Sequence, residues 1–223
     1  MVKEQPGRLD PARIVDAALA IATRDGAPAV TMRRLGVELG VDASAFYRHF
    51  RTKDDLVAAM AERLLERELD AIEPTGDWRE NLRRLYWGGW RVYRGHPGFA
   101  MSIARLPNDV PALARIADRM LAELRRAGLS RADAALFYHS SVDLIAGTGL
   151  FLAIAPRLAA DDSREQKRTE LAALPADTHP AVRDVAEHLY PPVEDVFANS
   201  VELLLDTIQF RSERAVKRHE EER

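Results

Sequence analysis

Apolar residues recur along this chain at spacings of three and four, while the strict alternation of a half-buried strand is nearly absent. Helix start signals precede many of these segments. Asp10 stands before Pro11, a typical N-cap followed by a proline at the first helical position. Thr52 and Asp55 have the spacing of a capping box. The sequence therefore predicts an all-α fold.

The same signals place the individual helices. We predict helices over 10–26, 31–40, 42–49, 52–72, 77–95, 98–105, 110–127, 130–155, 180–189 and 192–211. Residues 157–179 are polar and charged and are predicted to form mainly a loop, and the charged tail 212–223 is predicted to fray. The predicted division is a helix-turn-helix domain at 1–52, a connecting helix at 52–72 and a helical body at 73–223.

Composition excludes several classes of protein. The 223 residues include no cysteine, which removes disulfides, cysteine zinc sites and thiol catalysis. The uncharged stretch Leu144–Pro156 is shorter than the roughly 20 residues that a membrane span needs. Met1–Leu9 is polar and shows no secretory signal. We therefore expect a cytoplasmic protein without a membrane partner.

The net charge of −3 hides an uneven distribution. Residues 1–53 hold nine Lys and Arg against six Asp and Glu, a balance of +3, so the remaining residues carry −6. A basic end on an acidic body indicates that this end meets a polyanion.

The segment Thr31–Phe50 has the pattern of a helix-turn-helix. Two short predicted helices meet at Gly40, where glycine adopts a positive φ without a steric penalty. Gly36 lacks a side chain that would hold the second helix away. Apolar residues that seal the joint, and a third packing surface on the preceding helix, complete the pattern: Leu35, Leu39, Val41, Phe46, Phe50, Ile14, Ala18 and Ile21. Such a motif places its second helix in the major groove of DNA.

The surface of that second helix suits base recognition. With Phe46 and Phe50 inward, small residues at 43–45 permit close approach to base edges. Tyr47 offers a hydroxyl and a contact for a thymine methyl group, and Arg48 reaches phosphate or guanine. The alternative is that Tyr47 and Arg48 are ordinary half-exposed residues.

Three cationic residues lie at predicted helix N-termini, where the helix dipole makes a positive charge unfavourable. Arg33 and Arg34 fall in the first turn after Thr31, and Lys53 directly follows Thr52. A bound phosphate would accept free backbone N–H groups and these side-chain charges together. The alternative is solvated charge at a helix end.

The segment from about Asp10 to Met60 resembles the N-terminal domain of the TetR family of bacterial regulators. The residues that carry the resemblance are TMRRLGVELGV and AFYRHFRTKDDLVAAM. The resemblance implies DNA contacts at Thr31, Arg33, Ser44, Ala45, Tyr47, His49 and Lys53, with Lys53 on a phosphate. Arg48 stands where many members carry an aromatic residue. With the neighbouring positions, the predicted DNA-binding set is Thr31, Arg33, Arg34, Ala43, Ser44, Ala45, Tyr47, Arg48, His49 and Lys53.

The rest of the chain is similar to the family in the number and order of its helices. The sequence Arg94-Gly95-His96-Pro97 is similar to the tetracycline-repressor type of C-terminal domain. In TetR-like proteins two helices that correspond to 130–155 and 192–211 pair with their symmetry mates, which implies a homodimer on a palindromic operator. Both segments are apolar over more than one face, whereas the alternative is a single monomeric core.

Aromatic residues concentrate in the predicted helix 77–95, and an aromatic stripe of this kind is more often plain core. The alternative is an apolar site for a small-molecule effector. Gly147 and Gly149 within the helix at 130–155 indicate close helix approach, a kink or room for a ligand. The predicted ligand-binding set is Tyr86, Trp87, Trp90, Tyr93, His96, Phe99, Phe137, His139 and Asp143.

No sequence motif of an enzyme, a metal site or a cofactor site is present. The sequence predicts a dimeric, ligand-released transcriptional repressor that binds double-stranded DNA, and it predicts no cofactor or metal site. The alternatives are a helical small-molecule-binding module and a helical enzyme, each without specific DNA binding.

Overall fold

A computed structural model of the chain describes residues 9–107, 110–154 and 160–221. Within these ranges there is no strand, and the predicted all-α fold is confirmed. The first helix, α1 (Pro11–Asp25), begins where the Asp10 carboxylate accepts a hydrogen bond of 2.8 Å from the Arg13 amide. It ends at Gly26, whose φ of +85° is a backbone conformation that glycine adopts without a steric penalty.

The remaining helices follow in chain order. They are α2 (Met32–Leu39), a 3₁₀ helix Ala43–Arg48, α3 (Lys53–Asp70), α4 (Trp78–Gly95), α5 (Ala100–Ala104), α6 (Pro111–Arg126), α7 (Arg131–Ile154), α8 (Asp161–Ala172), α9 (Pro180–Val185) and α10 (Val193–Glu221). Further 3₁₀ turns lie at Ala27–Ala29, Pro97–Phe99 and Ala186–His188.

Two compact units divide the chain. The head unit consists of Met1–Ala71 with Gly98–Ile116, and the body unit consists of Ile72–Pro97 with Ala117–Arg223. The predicted domain division at 52 and 72–73 stays a prediction. The sequence did not indicate that the segment after Pro97 belongs to the head unit.

The head unit has a small core shared by α1, α2 and α3. Ile14, Leu35, Phe46 and Met60 are completely buried in it. The helix α5 packs against α3 in the same unit. Gly98 lies so close to Ala27 that a β-carbon at residue 98 would stand 2.8 Å from that of Ala27, which ties the returning segment to the end of α1.

The body unit is organised around α4, which packs against α7 and α10. The rings of Trp90 and Phe197 stack with centroids 4.7 Å apart, and Trp87 meets Phe197 edge-on at 5.2 Å. A β-carbon on Gly149 would lie 2.2 Å from Cγ of Tyr93. The predicted close helix approach is therefore confirmed at Gly149, whereas Gly147 faces open space.

Several helix predictions need correction. The polar segment predicted mainly as loop contains the helix α8, and the predicted fraying tail is helical to Glu221. The helix predicted over 98–105 is a 3₁₀ turn followed by the five-residue α5. The polar sequence of α8 forms local ion pairs along the helix, such as that between Arg168 and Glu165, three residues apart. The predicted end of the long helix at Ala155 and Pro156 lies outside the described residues.

The helix α7 is long and apolar enough to cross a membrane by length and composition. A single helix of this kind does not distinguish a membrane span from the core helix of a soluble protein. It packs against α4 and α10 in the body unit, and 28% of its most apolar window is buried.

Candidate nucleic-acid interface

The turn between α2 and the next helix depends on two glycines. Gly40 closes α2 in the left-handed region, with φ 66° and ψ 32°. The Val41 amide then donates a 3.0 Å hydrogen bond to the Gly36 carbonyl. A β-carbon on Gly36 would stand only 2.8 Å from the Val41 carbonyl oxygen. Both predicted roles, the positive φ at Gly40 and the close approach at Gly36, are confirmed.

The segment Ala43–Arg48, hereafter the recognition helix, follows this turn. It is a 3₁₀ helix rather than the α-helix typical of such motifs, with the Ala45 amide bonded to the Asp42 carbonyl at 3.0 Å. The Asp42 carboxylate caps it by accepting the Ser44 amide at 2.8 Å. Hydrogen bonds from Ser44 lower the pKa of Asp42, so this cap stays ionised.

The recognition helix divides its side chains as predicted. Phe46 is completely buried and Phe50, two residues beyond it, is 7% exposed. Tyr47 is 55% exposed. Ser44, Arg48 and His49 are also exposed, and Ala43 and Ala45 are half-buried. The small and polar side chains therefore form one outward surface, and the two phenylalanines anchor it.

The cations near this surface fall into two groups. The side chains of Arg33, Arg48 and Lys53 are exposed and form no ion pair or hydrogen bond with any described residue. The guanidinium of Arg34, in contrast, lies 3.3 Å from the Asp25 carboxylate. Of the predicted DNA-binding cations, Arg34 thus has a partner within the protein, and the other three are available to an external anion.

Both helix starts that carry these cations are fixed by side-chain caps. The Thr31 hydroxyl accepts the Arg34 amide at 3.1 Å at the start of α2. At the start of α3, the Thr52 hydroxyl accepts the Asp55 amide at 3.1 Å, and the Asp55 carboxylate accepts the Thr52 amide at 3.0 Å. The predicted capping box is confirmed, and it holds Lys53 in the first position of α3.

The predicted effector-binding aromatics form part of the body-unit core. Tyr86, Trp90 and Tyr93 on α4 are buried, and Trp87 is half-buried. The Tyr86 hydroxyl lies 2.9 Å from the Ser141 hydroxyl, and burial raises the pKa of Tyr86 to about 12.

The other predicted effector-binding residues do not form one cluster. Phe137 is buried on α7, and His96 is half-buried just after α4. His139 and Asp143 are exposed on α7, and Phe99 belongs to the head unit. The structure therefore brings the α4 aromatics and Phe137 into one core but leaves His139 and Asp143 on the surface.

Sequence reasoning missed two residues of this core. Ser141 is completely buried and bonds both to Tyr86 and, at 2.7 Å, to the Phe137 carbonyl. Phe197 is the stacking partner of Trp90. A serine one helical turn after Phe137 was the available signal, but its burial depends on the packing of α7 against α4.

A polar cleft lies elsewhere in the body unit, and none of the predicted ligand-binding residues lines it. Its lining consists of Glu165, Arg168, Thr169, Ala172 and Glu187. Within the described parts of the chain, no three His, Asp or Glu side chains are arranged to hold a metal ion.

Comparison with known protein families gives independent support for the helix-turn-helix and for the helical body. A profile described as "Bacterial regulatory proteins, tetR family" matches residues 14–60, which include the helix-turn-helix. A second profile, described as "Tetracyclin repressor-like, C-terminal domain", matches residues 72–211.

Individual curated proteins are similar to this chain in sequence. The HTH-type transcriptional repressor Rv1353c of Mycobacterium tuberculosis is 32% identical over 138 residues, which are 59% of this chain and 53% of that protein. The chain thus matches about half the length of this curated relative.

Solved structures extend the similarity to nearly the whole chain. A possible TetR family transcriptional regulator from Streptomyces coelicolor A3(2) is 31% identical with a TM-score of 0.72, covering 93% of this chain and all of that one. ActR of Streptomyces coelicolor in complex with actinorhodin shares the fold, with a TM-score of 0.79 at 23% identity, over 92% of this chain and 99% of that one. With one profile on the head and another on most of the body, this chain belongs to the TetR family of bacterial regulatory proteins.

Proposed function

We propose that this protein is a ligand-responsive transcriptional repressor that binds a palindromic operator as a homodimer. The observation that carries the proposal is the outward surface of the recognition helix, with three exposed cations, Arg33, Arg48 and Lys53, whose side chains have no partner among the described residues. The family match supports the same function, and no catalytic step or cofactor is part of it. The site of action is the cytoplasm, where bacterial DNA lies.

Each side chain of this surface has a distinct proposed role. Tyr47 reads base edges in the major groove, while Ala43, Ser44 and Ala45 allow the backbone to approach them. The proposed phosphate-binding residues are Thr31, Arg33, Arg34, Arg48, His49 and Lys53, and these contacts position the helix without specifying sequence. Because Arg34 already pairs with Asp25, its share in the binding energy is the smallest of the cations.

An exposed apolar face on two body helices supports the homodimer. On α10, Val196, Leu203 and Phe210 are 46–59% exposed and stand seven residues apart, which aligns them along one side of the helix. Ser200 and Thr207 lie between them, and each hydroxyl donates to a carbonyl of its own helix, at 2.9 and 2.7 Å. This face therefore presents no unsatisfied hydroxyl donor to an apolar partner.

The helix α7 has a similar face. Leu136, Phe151 and Ile154 are 44–74% exposed there. We propose that α7 and α10 pack with the same helices of a second copy in a four-helix interface, as predicted for residues 130–155 and 192–211. In a single copy this whole apolar surface would be exposed to water.

We propose that the effector binds in the body unit, at the predicted aromatic set. The α4 aromatics with Phe137 supply apolar walls, and the Tyr86 and Ser141 hydroxyls supply a polar pair. ActR, which shares the fold, was solved in complex with actinorhodin. Among the polar members of the predicted set, His96 is nearest in sequence to the α4 aromatics. The remaining members, Phe99, His139 and Asp143, take part only if the helices rearrange on binding.

The proposed release of DNA is a population shift. Binding in the body unit moves α3, which follows the recognition helix directly in the chain, and so changes the separation of the two heads. Two heads fit successive major grooves only when they are about 34–36 Å apart. Spectroscopic distance measurement between labelled heads, with and without effector, tests this step: an unchanged distance when DNA is released contradicts it.

A titration of the protein against DNA that flanks its own gene tests the function as a whole. We expect a specific, salt-sensitive complex. Tyr47→Ala should lose the preference for operator over random DNA, whereas Lys53→Ala should weaken binding to both alike and flatten the salt dependence. The absence of a specific complex for the wild type rejects the proposal, and equal loss of preference in both variants rejects the assigned roles.

A further inference from the structure

The helix α2 presents three faces with different chemistry. One face is charged and paired, since Arg34 contacts Asp25 at 3.3 Å and Glu38 contacts Arg24 at 3.1 Å. A second face is buried and contains Leu35 and Gly36. The third face holds the remaining outward positions.

That third face carries Arg33 and Val37. The two residues are four apart, so their side chains lie one above the other on the same side of the helix. Val37 is 75% exposed, the largest exposed fraction of any large apolar side chain in the described part of the chain. Arg33 is exposed and has no partner among the described residues.

The third face borders the recognition helix. Gly36, adjacent to Val37 in sequence, lies against the start of that helix, because a β-carbon at residue 36 would be 3.6 Å from the Ala43 amide nitrogen. At about 100° per residue, the Arg33–Val37 face of α2 lies between the Gly36 side, which meets the recognition helix, and the paired side, which is occupied by Arg24 and Asp25.

A cation beside a methyl-bearing side chain fits the backbone of double-stranded DNA. The guanidinium matches a phosphate, and the valine methyl groups match the apolar edge of a deoxyribose. An acidic protein partner would also match Arg33. DNA is favoured because this face borders the Gly36 side of α2, which meets the helix proposed to read the operator.

We propose that Val37 is a DNA-contact residue, packing on the sugar-phosphate backbone beside the phosphate that Arg33 binds. This inference rests on the proposed operator binding and extends the interface from the recognition helix to the middle of α2. Because Val37 touches backbone rather than bases, it adds affinity on every sequence and adds no sequence preference.

Opposite charges at residue 37 test the contact. We expect Val37→Glu to weaken binding to operator and random DNA alike, by about tenfold or more. We expect Val37→Lys to strengthen both and to steepen the salt dependence by about one counterion. Val185→Glu is the matched control, because Val185 is 42% exposed on α9 in the body unit, and its DNA affinity should equal that of the wild type.

The outcomes separate this inference from the function it rests on. A wild-type protein that forms no specific DNA complex overturns both. A wild type that binds, with both Val37 variants matching it in affinity and salt slope, overturns the contact alone. A Val37→Glu variant that keeps its DNA affinity but changes the dimerisation constant also overturns it, because the face would then serve a protein. Val37→Lys keeps the test valid if the Glu variant folds poorly.

Discussion

Gly36 stands against the Val41 carbonyl with no room for a β-carbon, because that atom would lie 2.8 Å from the oxygen. We predict that Gly36→Ala forces the turn apart and displaces the recognition helix. The operator affinity should fall by at least tenfold, and the melting temperature should decrease. The Ala variant of Gly95, where a β-carbon meets no atom within 4 Å, is the control and should bind normally. Normal operator binding by Gly36→Ala would show that the turn has room to relax.

Adjacent arginines on α2 differ in their partners, and their variants should differ accordingly. Arg33→Ala removes a cation that has no partner in the described ranges of the chain, so it should weaken DNA binding and lower the salt slope by about one. Arg34→Ala removes the contact with Asp25 and should change the salt slope much less. Binding isotherms at several salt concentrations measure both. An equal fall in slope for the two variants would mean that Arg34 leaves Asp25 when DNA binds.

The exposed stripe on α10 predicts the effect of a charge in the dimer. Leu203 is 59% exposed between Val196 and Phe210. Leu203→Glu should therefore leave the subunit folded but place a carboxylate in the proposed interface, which shifts the dimer toward monomer. Sedimentation equilibrium measures the shift, and Val185→Glu is again the control. A dimer of unchanged affinity would place the interface elsewhere.

Ion pairing at Glu202 predicts a pH-dependent stability. Hydrogen bonds from Arg83 and Arg79 lower the pKa of Glu202 to about 2, below its ordinary 4.5. Since the folded-state pKa is the lower one, this carboxylate stabilises the fold above pH 4.5 and loses its contribution as the pH falls toward 2. Glu202 is 46% exposed, so the contribution is at most about 1 kcal/mol.

The variant Glu202→Gln should accordingly be less stable than the wild type at neutral pH, with a difference that shrinks below pH 4.5. Denaturant titrations at a series of pH values measure this difference. Glu213→Gln is the control on the same helix, because among the described side chains the hydrogen bond to Glu213 comes from the neutral Gln209. A difference between wild type and Glu202→Gln that stays constant down to pH 2 would contradict the assignment.

Local signals determined most of the head unit. The N-caps at Asp10, Thr31 and Thr52 and the glycine at residue 40 act within four residues of their own position, so the sequence was sufficient to predict them. The outward position of Tyr47 followed from the burial of its neighbour Phe46. Profile matches over both units show the family that these motifs indicated.

The partners of charged and apolar side chains depended on tertiary packing. Nothing in the sequence distinguishes Arg33 from Arg34, but the nearness of α1 lets Arg34, and not Arg33, pair with Asp25. Val37 is an apolar residue in an apolar-rich pattern, and only the arrangement of α2 leaves it exposed. For the same reason the sequence did not show that His139 and Asp143 face away from the aromatics of α4.

The sequence by itself determined that this chain is helical, where its capped helices begin, and that its first 60 residues contain a helix-turn-helix of the TetR type. Only the tertiary structure decided which cations stay unpaired, which aromatic residues become core, and which segment after Pro97 returns to the head unit. The physical reason is the distance along the chain between the residues that interact. Caps and turns are satisfied by neighbours along the chain, whereas burial and ion pairing depend on residues that are distant in sequence and meet only after folding.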